Sequence, residues 1–373
     1  MSPTEDRDLR VALLGGRGVP GRYGGYETLM DELAGRLVAR GVEVTVYCRS
    51  HYTDRGRRTY RGARLVVLPT VRTKHLDTPV HTLLSALHGT GQGYDAALVV
   101  NAANALFVPL LRAGGVPTAL HVDGIERRRK KWGALGRGVY AVSERMAGLV
   151  ADTVVSDARV IQEHYRARYG VESALITYGV DPEPPRGREV LDELGLISGR
   201  FFLYVSRFEP ENNPHRVAEA YRRVEGDLPL VMVGDAPYAD RFIASFREDA
   251  DPRIRFPGAI YGDGYRQLLS HALAYVHATE VGGTHPALVE AMGYGNCVVA
   301  NDTPENREVA GPEALYFRAQ RPGELADLLE SIRRDPGSAR RTGKAMSDRA
   351  RRLFDWDRIT DRYLTLFRRL ASG

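Results

Sequence analysis

Arg10-Val11-Ala12-Leu13-Leu14-Gly15-Gly16-Arg17-Gly18-Val19-Pro20-Gly21-Arg22-Tyr23-Gly24-Gly25 reads as a short apolar strand running into a long glycine-rich loop. Behind it Tyr26, Leu29, Met30, Leu33, Leu37 and Val38 recur at helical spacing, and Gly41 stands where a C-cap glycine belongs. Strand, loop and helix make the first half of a βαβ unit, and the pattern repeats. Further strand candidates are Glu43–Cys48, Arg64–Leu68, Ala96–Val100, Pro117–Val122, Thr153–Val155 and Ala174–Thr177, with amphipathic segments between most of them. Such alternation predicts a doubly wound parallel sheet. A second series follows the proline-rich, apolar-poor stretch Asp181 to Gly187. Its strands are Phe201–Val205, Leu230–Val233, Arg253–Phe256, Tyr275–His277, Cys297–Ala300 and Ala314–Phe317. The expectation is an α/β chain with two tandem Rossmann-like domains, residues 1–182 and 183–352, whose parallel sheets face across a cleft. In the final segment, 353–373, Leu353, Trp356, Ile359, Tyr363, Leu366, Phe367 and Leu370 share one helical face. That face needs a partner surface, and the helix is expected to pack back across the junction toward the N-domain.

Size agrees with two domains, since 373 residues exceed the length over which one hydrophobic core keeps growing. Met1 to Asp8 is charged, and no apolar stretch approaches the roughly 20 residues that span a bilayer. The longest, Ala96 to Leu111, is interrupted by Asn101 and Asn104. A cytoplasmic protein is predicted. Cys48 and Cys297 are the only thiols and sit in strand-like surroundings, which excludes a disulfide framework or a cysteine metal cluster. The net charge is +5, and of 52 Lys and Arg residues only Lys74, Lys130, Lys131 and Lys344 are lysines. That bias is compositional and argues for no nucleic-acid partner, but leaves an anionic small ligand or membrane surface open.

Gly16, Gly18 and Gly21 formally satisfy G-x-G-x-x-G. In a dinucleotide fold the helix opens inside that fingerprint, whereas here Pro20 and Gly21 interrupt it and the helical period begins near Gly25. The second strand ends at Arg49 rather than at an acid for an adenosine ribose, so a dinucleotide reading survives only with Arg49 on an NADP 2′-phosphate. Against it stand a loop whose amides, including Gly24 and Gly25, approach a diphosphate and sugar, and a merely flexible turn. Arg207 follows the first strand of the second series, at the strand end where α/β sheets bind ligands, and its guanidinium can pair two phosphate oxygens. A surface ion pair with Glu209 or Glu211 is the alternative.

Glu280-Val281-Gly282-Gly283-Thr284-His285-Pro286-Ala287-Leu288-Val289-Glu290-Ala291-Met292-Gly293 has the form of an anion site: glycines, then free amides, then proline at the first turn of a helix. Glu290 lies one turn inside, among apolar neighbours, where a carboxylate can accept hydrogen bonds from the sugar hydroxyls of a nucleotide. A helix-dipole acid would sit in the exposed first turn instead.

Together these motifs resemble the family-four retaining glycosyltransferases of the GT-B fold, in which an arginine after the first C-domain strand and a glutamate in the Glu-Ala-Met helix hold the nucleotide sugar. Arg17 to Pro20, Tyr23 to Thr28, His121 to Glu126, Glu211 to Asn213, Val281 to Thr284 and Asn306 to Glu308 further resemble the bacterial rhamnosyltransferase-like branch. The likeness runs from Arg10 to about Phe317. It implies a metal-independent enzyme without a cofactor, using a nucleotide-diphosphate sugar as co-substrate and a hydroxyl-bearing acceptor. Arg207, Asp123 and Glu290 would form the catalytic centre. Gly24, Gly25, Asn212, Ile260, Tyr261, Gly282, Gly283, Thr284 and His285 would join Glu290 around the donor. Tyr23, Tyr26, Asp123, Glu126 and Arg127 would face the acceptor.

Two departures carry information. The family's phosphate-binding lysine falls at Asn212, and the first acid of its E-x7-E motif falls at Gly282. Loss of that acid disfavours a UDP- or GDP-hexose, and the branch resemblance implies a dTDP-linked deoxysugar such as L-rhamnose. Asp123 stands where relatives carry a histidine, with a turn-forming role as its alternative. The run Arg127 to Lys131, ending in Trp132, is either a solvated face or a contact for anionic lipid or a phosphate-bearing acceptor. The acceptor is a lipid-linked glycan or a natural-product core. A GT-B nucleotide-sugar 2-epimerase and a non-catalytic nucleotide-sugar-binding regulator are the competing functions.

Overall fold

The computed structural model describes residues 8–373 except 22–23, 74, 126, 128–132, 237–238 and 249. Two compact units emerge. One combines Met1–Arg127, Ala134–Tyr178 and Trp356–Gly373; the other is built on Gly179–Asp355.

The first unit holds eight strands: β1 (Arg10–Leu14), β2 (Glu43–Arg49), β3 (Thr59–Tyr60), β4 (Ala63–Leu68), β5 (Ala96–Val100), β6 (Thr118–Val122), β7 (Thr153–Ser156) and β8 (Ser173–Leu175), in the sheet order β3-β4-β2-β1-β5-β6-β7-β8. All neighbours are parallel except β3 and β4. The strand β3 was not expected. It is a two-residue hairpin arm turned by Arg61 (φ 47°) and Gly62 (φ 82°), the paired positive φ of a tight hairpin, and two residues carry no readable period. From β1 the chain builds outward through β2 and β4, then returns to lay β5 on the other side of β1, which makes the β1/β5 boundary the topological switch point.

The second unit holds β9 (Phe202–Val205), β10 (Leu230–Val233), β11 (Ile254–Gly258), β12 (Ala274–His277), β13 (Cys297–Asn301) and β14 (Leu315–Phe317), all parallel, in the order β11-β10-β9-β12-β13-β14. Its switch point is between β9 and β12. In open α/β sheets, ligands bind beyond the carboxyl ends of the strands at that boundary.

Each face of the first sheet is covered. Helix Gly25–Val38 and helix Trp356–Ala371 bury Leu29, Met30, Leu33, Trp356, Ile359, Tyr363 and Phe367 on one face. Helices Asp77–Gly89, Val108–Ala113, Ala134–Val150 and Arg159–Tyr169 cover the other, with the 3₁₀ turn Ala102–Phe107 among them. The helix Trp356–Ala371 therefore completes the first unit's core, although the residues preceding it belong to the second. Arg40 ties it down, with Nε 2.8 Å from Asp361 Oδ1 and Nη2 3.0 Å from Asp357 Oδ1. Leu353 is a correction to the expected face: it ends the preceding helix, Pro336–Leu353, and is exposed. Both cysteines are buried and free. No helix among the described residues is long and apolar enough to cross a membrane.

Candidate active site

In the second unit the loops after β9 and β12 meet at the switch point. Arg207, two residues past β9, is about one-third exposed, and its Nη1 lies 3.6 Å from Glu209 Oε1. A half-open pair at that distance contributes about 0–1 kcal/mol, so the guanidinium gives up little in turning to a phosphate. Asn212 behaves differently from the phosphate donor expected of it. It is buried, its Nδ2 donates to the Arg207 carbonyl at 2.7 Å, and its own carbonyl accepts the Tyr204 hydroxyl at 2.8 Å. Those bonds close the turn that carries Arg207. Asn213, in the left-handed region at φ 56°, sends Nδ2 to the Ala278 carbonyl at 2.8 Å and to Glu280 Oε1 at 3.1 Å. The Glu280 amide donates to the Glu211 carbonyl at 2.9 Å, so the two switch-point loops are stitched together.

Beyond β12, Gly282, Gly283 and Thr284 are buried and lead to helix Pro286–Gly293, with His285 as its N-cap residue. Gly282 is held by a close approach: a Cβ there would stand 2.4 Å from His285 Cε1 and 2.5 Å from its Nε2. The imidazole fills the volume that any side chain at 282 would need. Behind it His277 is buried, 4.9 Å between ring centroids, and burial pulls its pKa down to about 3, so it is neutral. Glu290 is half-buried, and its Oε2 accepts the Tyr265 hydroxyl at 2.7 Å. Tyr265 belongs to helix Gly262–His271, which follows β11 and the loop containing half-buried Ile260 and exposed Tyr261. The loops carrying Arg207, Thr284, His285 and Ile260 thus leave one sheet edge, and Tyr265 couples the β11 side to Glu290. Nothing in the spacing of the sequence marked Tyr265 or Asn213 for these duties; both depend on contacts between segments distant in sequence.

In the first unit the glycine loop serves its own domain. A Cβ at Gly15 (φ +98°) would lie 2.6 Å from the Val100 carbonyl, and one at Gly18 (φ +118°) 2.7 Å from Cys48 Sγ. The Arg17 amide donates to Glu27 Oε1 at 3.0 Å and the Gly21 amide to Asp31 Oδ2 at 2.6 Å. Two amides expected to face a diphosphate are therefore taken by carboxylates, and buried Glu27 at the start of the helix repels a second anion. Gly24 and Gly25, half-buried, form the N-cap and first residue of that helix. Arg49 is equally committed: buried, with Nη1 2.5 Å from Asp77 Oδ2 and Nη2 3.0 Å from Thr78 Oγ1, it is not placed to read a 2′-phosphate.

Asp123, just past β6, accepts the Tyr26 hydroxyl on Oδ1 at 2.6 Å, which brings two expected acceptor residues together. The Tyr26 ring meets His121 edge-on at 5.8 Å, and fully buried His121, with a pKa pulled down to about 3 by burial, is 3.3 Å from the Tyr363 hydroxyl through Nδ1. Arg127 pairs with buried Glu144, Nε to Oε2 at 3.2 Å, while Tyr169 donates to the same oxygen at 2.9 Å. Arg127, expected at the acceptor, is held in an ion pair inside the unit. Tyr23, Glu126 and most of the basic run lie outside the described residues. Among the described residues, no group of three or more His, Cys, Asp or Glu side chains is placed to hold a metal ion.

The family model described as glycosyl transferase 4-like domain matches residues 24–178, and the one described as glycosyl transferases group 1 matches residues 196–349. The protein is a glycosyltransferase. Among curated relatives, this glycosyltransferase is 25% identical to the alpha-maltose-1-phosphate synthase of Mycolicibacterium smegmatis, over 98% of this chain and all of the relative. Its fold is GT-B. Sucrose-phosphate synthase from Thermosynechococcus elongatus superimposes with a TM-score of 0.83 at 18% identity, covering 98% of this chain and 100% of that one. The Anabaena protein HepE in complex with UDP and glucose gives a TM-score of 0.78 at 15% identity, covering 96% and 99%. A dinucleotide oxidoreductase is thereby set aside, in keeping with the occupied amides of the glycine loop.

Proposed function

We propose that this glycosyltransferase moves a sugar, with retention of configuration, from a nucleotide diphosphate bound on the second unit to an acceptor hydroxyl. Arg207 and the amides around Gly283 and Thr284, backed by the helix behind them, hold the diphosphate. Charge on the leaving phosphate grows as the sugar departs, and contacts that strengthen with it lower the barrier. Glu290, aimed by Tyr265, accepts a pentose hydroxyl, the 3′-hydroxyl in a thymidine nucleotide. The loop at Ile260 and Tyr261 borders the base. Asn212 acts by shaping the Arg207 turn. On the first unit, Tyr26 fixes one oxygen of Asp123, which orients an acceptor hydroxyl. The acceptor oxygen bonds to the anomeric carbon as the carbon–oxygen bond to phosphate breaks, and its proton passes to a donor phosphate oxygen. The acceptor is a glycan, a lipid-linked glycan or a natural-product core.

The observation that carries the donor reading is the His285 ring in the volume of a side chain at 282. A site lacking the acid at that position loses a hydroxyl ligand for a hexose and presents an imidazole instead, which favours a deoxysugar; dTDP-L-rhamnose is the proposed donor. Release of nucleoside diphosphate from dTDP-rhamnose, UDP-glucose and GDP-mannose, each with a hydroxylic acceptor, tests it. Faster turnover of UDP-glucose than of dTDP-rhamnose refutes the donor assignment. Gly282→Glu should inactivate, because the backbone at φ +156° strains any side chain there and the new one collides with His285.

A further inference from the structure

Asn306 lies in the first turn of helix Pro304–Ala310, after β13, and is buried. An asparagine near a helix start ordinarily caps it or faces water, because inside a helix its amide competes with the backbone. Here the cap belongs to Thr303, whose Oγ1 accepts the Asn306 backbone N–H at 3.2 Å. The Asn306 side chain reaches instead to the neighbouring strand ends. Its Nδ2 donates to the Asn301 carbonyl at 2.9 Å and to the Thr279 carbonyl at 3.1 Å. Asn301, the last residue of β13 and also buried, adds its own Nδ2 to the Thr279 carbonyl at 3.4 Å, while its Oδ1 accepts the Ala319 backbone N–H at 2.9 Å.

Thr279 and Glu280 share the peptide unit through which the chain leaves β12 for residues 281–284. Its carbonyl is held by the two asparagines, and its N–H, on the opposite side of the planar trans unit, donates to the Glu211 carbonyl at 2.9 Å. Glu280 Oε1 accepts Asn213 Nδ2 and Gln320 Nε2, each at 3.1 Å. Segments beyond β9, β13 and β14 therefore converge on one peptide plane. Held at both polar ends, that plane cannot rotate, and its orientation sets where the N–H groups of the loop point as it runs to the helix Pro286–Gly293. Given the proposed hold of Gly283 and Thr284 on the diphosphate, on which this rests, we infer that Asn306 is a positioning residue for sugar transfer: through the Thr279 carbonyl it fixes the loop that meets the leaving group. Donors aimed in advance need no reorganisation as charge develops on the phosphate, so their alignment acts on the transition state more than on the bound donor. An asparagine kept only to fill the core would need its volume and not its N–H groups.

The test compares wild type, Asn306→Asp, Asn306→Ala and Arg207→Ala, all full-length, in single-turnover transfer from dTDP-rhamnose, or from UDP-glucose if that donor turns over faster. With enzyme in excess, an unfolded fraction does not slow the saturated rate, so the rate reports the site alone. Asn306→Asp keeps the volume and sets a carboxylate against two carbonyls. Both Asn306 variants should lower the saturated rate about ten- to a hundredfold while the donor dissociation constant stays within about threefold. Asn306→Ser, which retains a shorter donor, replaces either variant if thermal unfolding shows it unfolded, and should fall between alanine and wild type. A wild-type rate in a folded Asn306→Asp or Asn306→Ala, or a loss that lies wholly in donor binding, overturns the inference, and the donor site itself still stands if Arg207→Ala is inactive. Unimpaired transfer by Arg207→Ala sinks the donor site and this inference with it.

Discussion

Arg207 shows how a residue can be half-engaged by design of its surroundings. Its turn is rigid, closed by Asn212, while its side chain has only a loose partner in Glu209. Arg207→Ala should therefore cost under about 1 kcal/mol of stability, yet lower kcat by about two to three orders of magnitude, as loss of one transition-state charge contact does. Chemical unfolding and single-turnover transfer check the two halves separately. Tyr265→Phe removes the hydroxyl that aims Glu290. It should raise KM for the donor several-fold, roughly 1 kcal/mol, with kcat nearly unchanged, because the pentose contact exists equally in ground and transition states. A fall in kcat without a change in KM would remove Glu290 from the nucleotide. Arg207 and Glu290 could be singled out in sequence as candidates, because strand-end arginines and helix-turn glycines have mechanical reasons for their spacing. Asn212 and Arg127 were singled out by family position, and the bonds each makes, to the Arg207 carbonyl and to Glu144, follow from contacts that no spacing reveals.

At the level of elements, sequence period carried the strands well. Strands β1, β5 and β10 were placed to the residue, and the remaining expected strands shift at their ends, where pairing partners rather than propensity decide the last residue. The glycine loop carries bonds that its composition did not announce. Glu27 and Asp31, on the helix that follows, occupy its Arg17 and Gly21 amides. A carboxylate facing back from the first helical turns was readable in principle; which amide it reaches was not. Helix Trp356–Ala371 was legible as an amphipathic segment in search of a surface. It buries Trp356, Ile359, Tyr363, Leu366, Phe367 and Leu370. At about 1.5–3 kcal/mol each, that is comparable with the whole net stability of a domain. Tyr363→Ala should destabilise the first unit by about 3–5 kcal/mol and release His121 from its hydroxyl partner, measured as an earlier urea transition.

Across the whole molecule, three buried histidines set an acid limit. Burial holds His121 and His277 at about 3 and His81 at about 4, against 6.5 when exposed. Below 6.5 the unfolded chain takes up protons that the folded chain refuses until 4 or 3. Stability is therefore full above pH 6.5 and falls as pH drops toward 4, by up to ~1.4 kcal/mol per pH unit for each group. Urea midpoints between pH 7 and pH 5 should trace this decline, and His81→Phe should reduce its slope by about a third. An unchanged midpoint over that range would mean that these imidazoles are protonated in the native state. That the chain would form two α/β units was evident from its alternating pattern. The final helix was expected to turn back toward the N-domain, and the first unit is indeed discontinuous, closing with residues some 180 positions further on; that Arg40 and His121 are its contacts there is set by packing that no helical period specifies.

That discontinuity orders events on the ribosome. Residues up to Tyr178 emerge early but leave one side of their sheet covered by helix Gly25–Val38 alone, while Gly179–Asp355 is translated as a continuous stretch and can finish first. Until Trp356–Ala371 clears the exit tunnel, the nascent N-terminal half presents a partly open apolar sheet face, a target for chaperones and proteases. Stalled chains ending at Asp355 should be cleaved in the first unit and spared in the second.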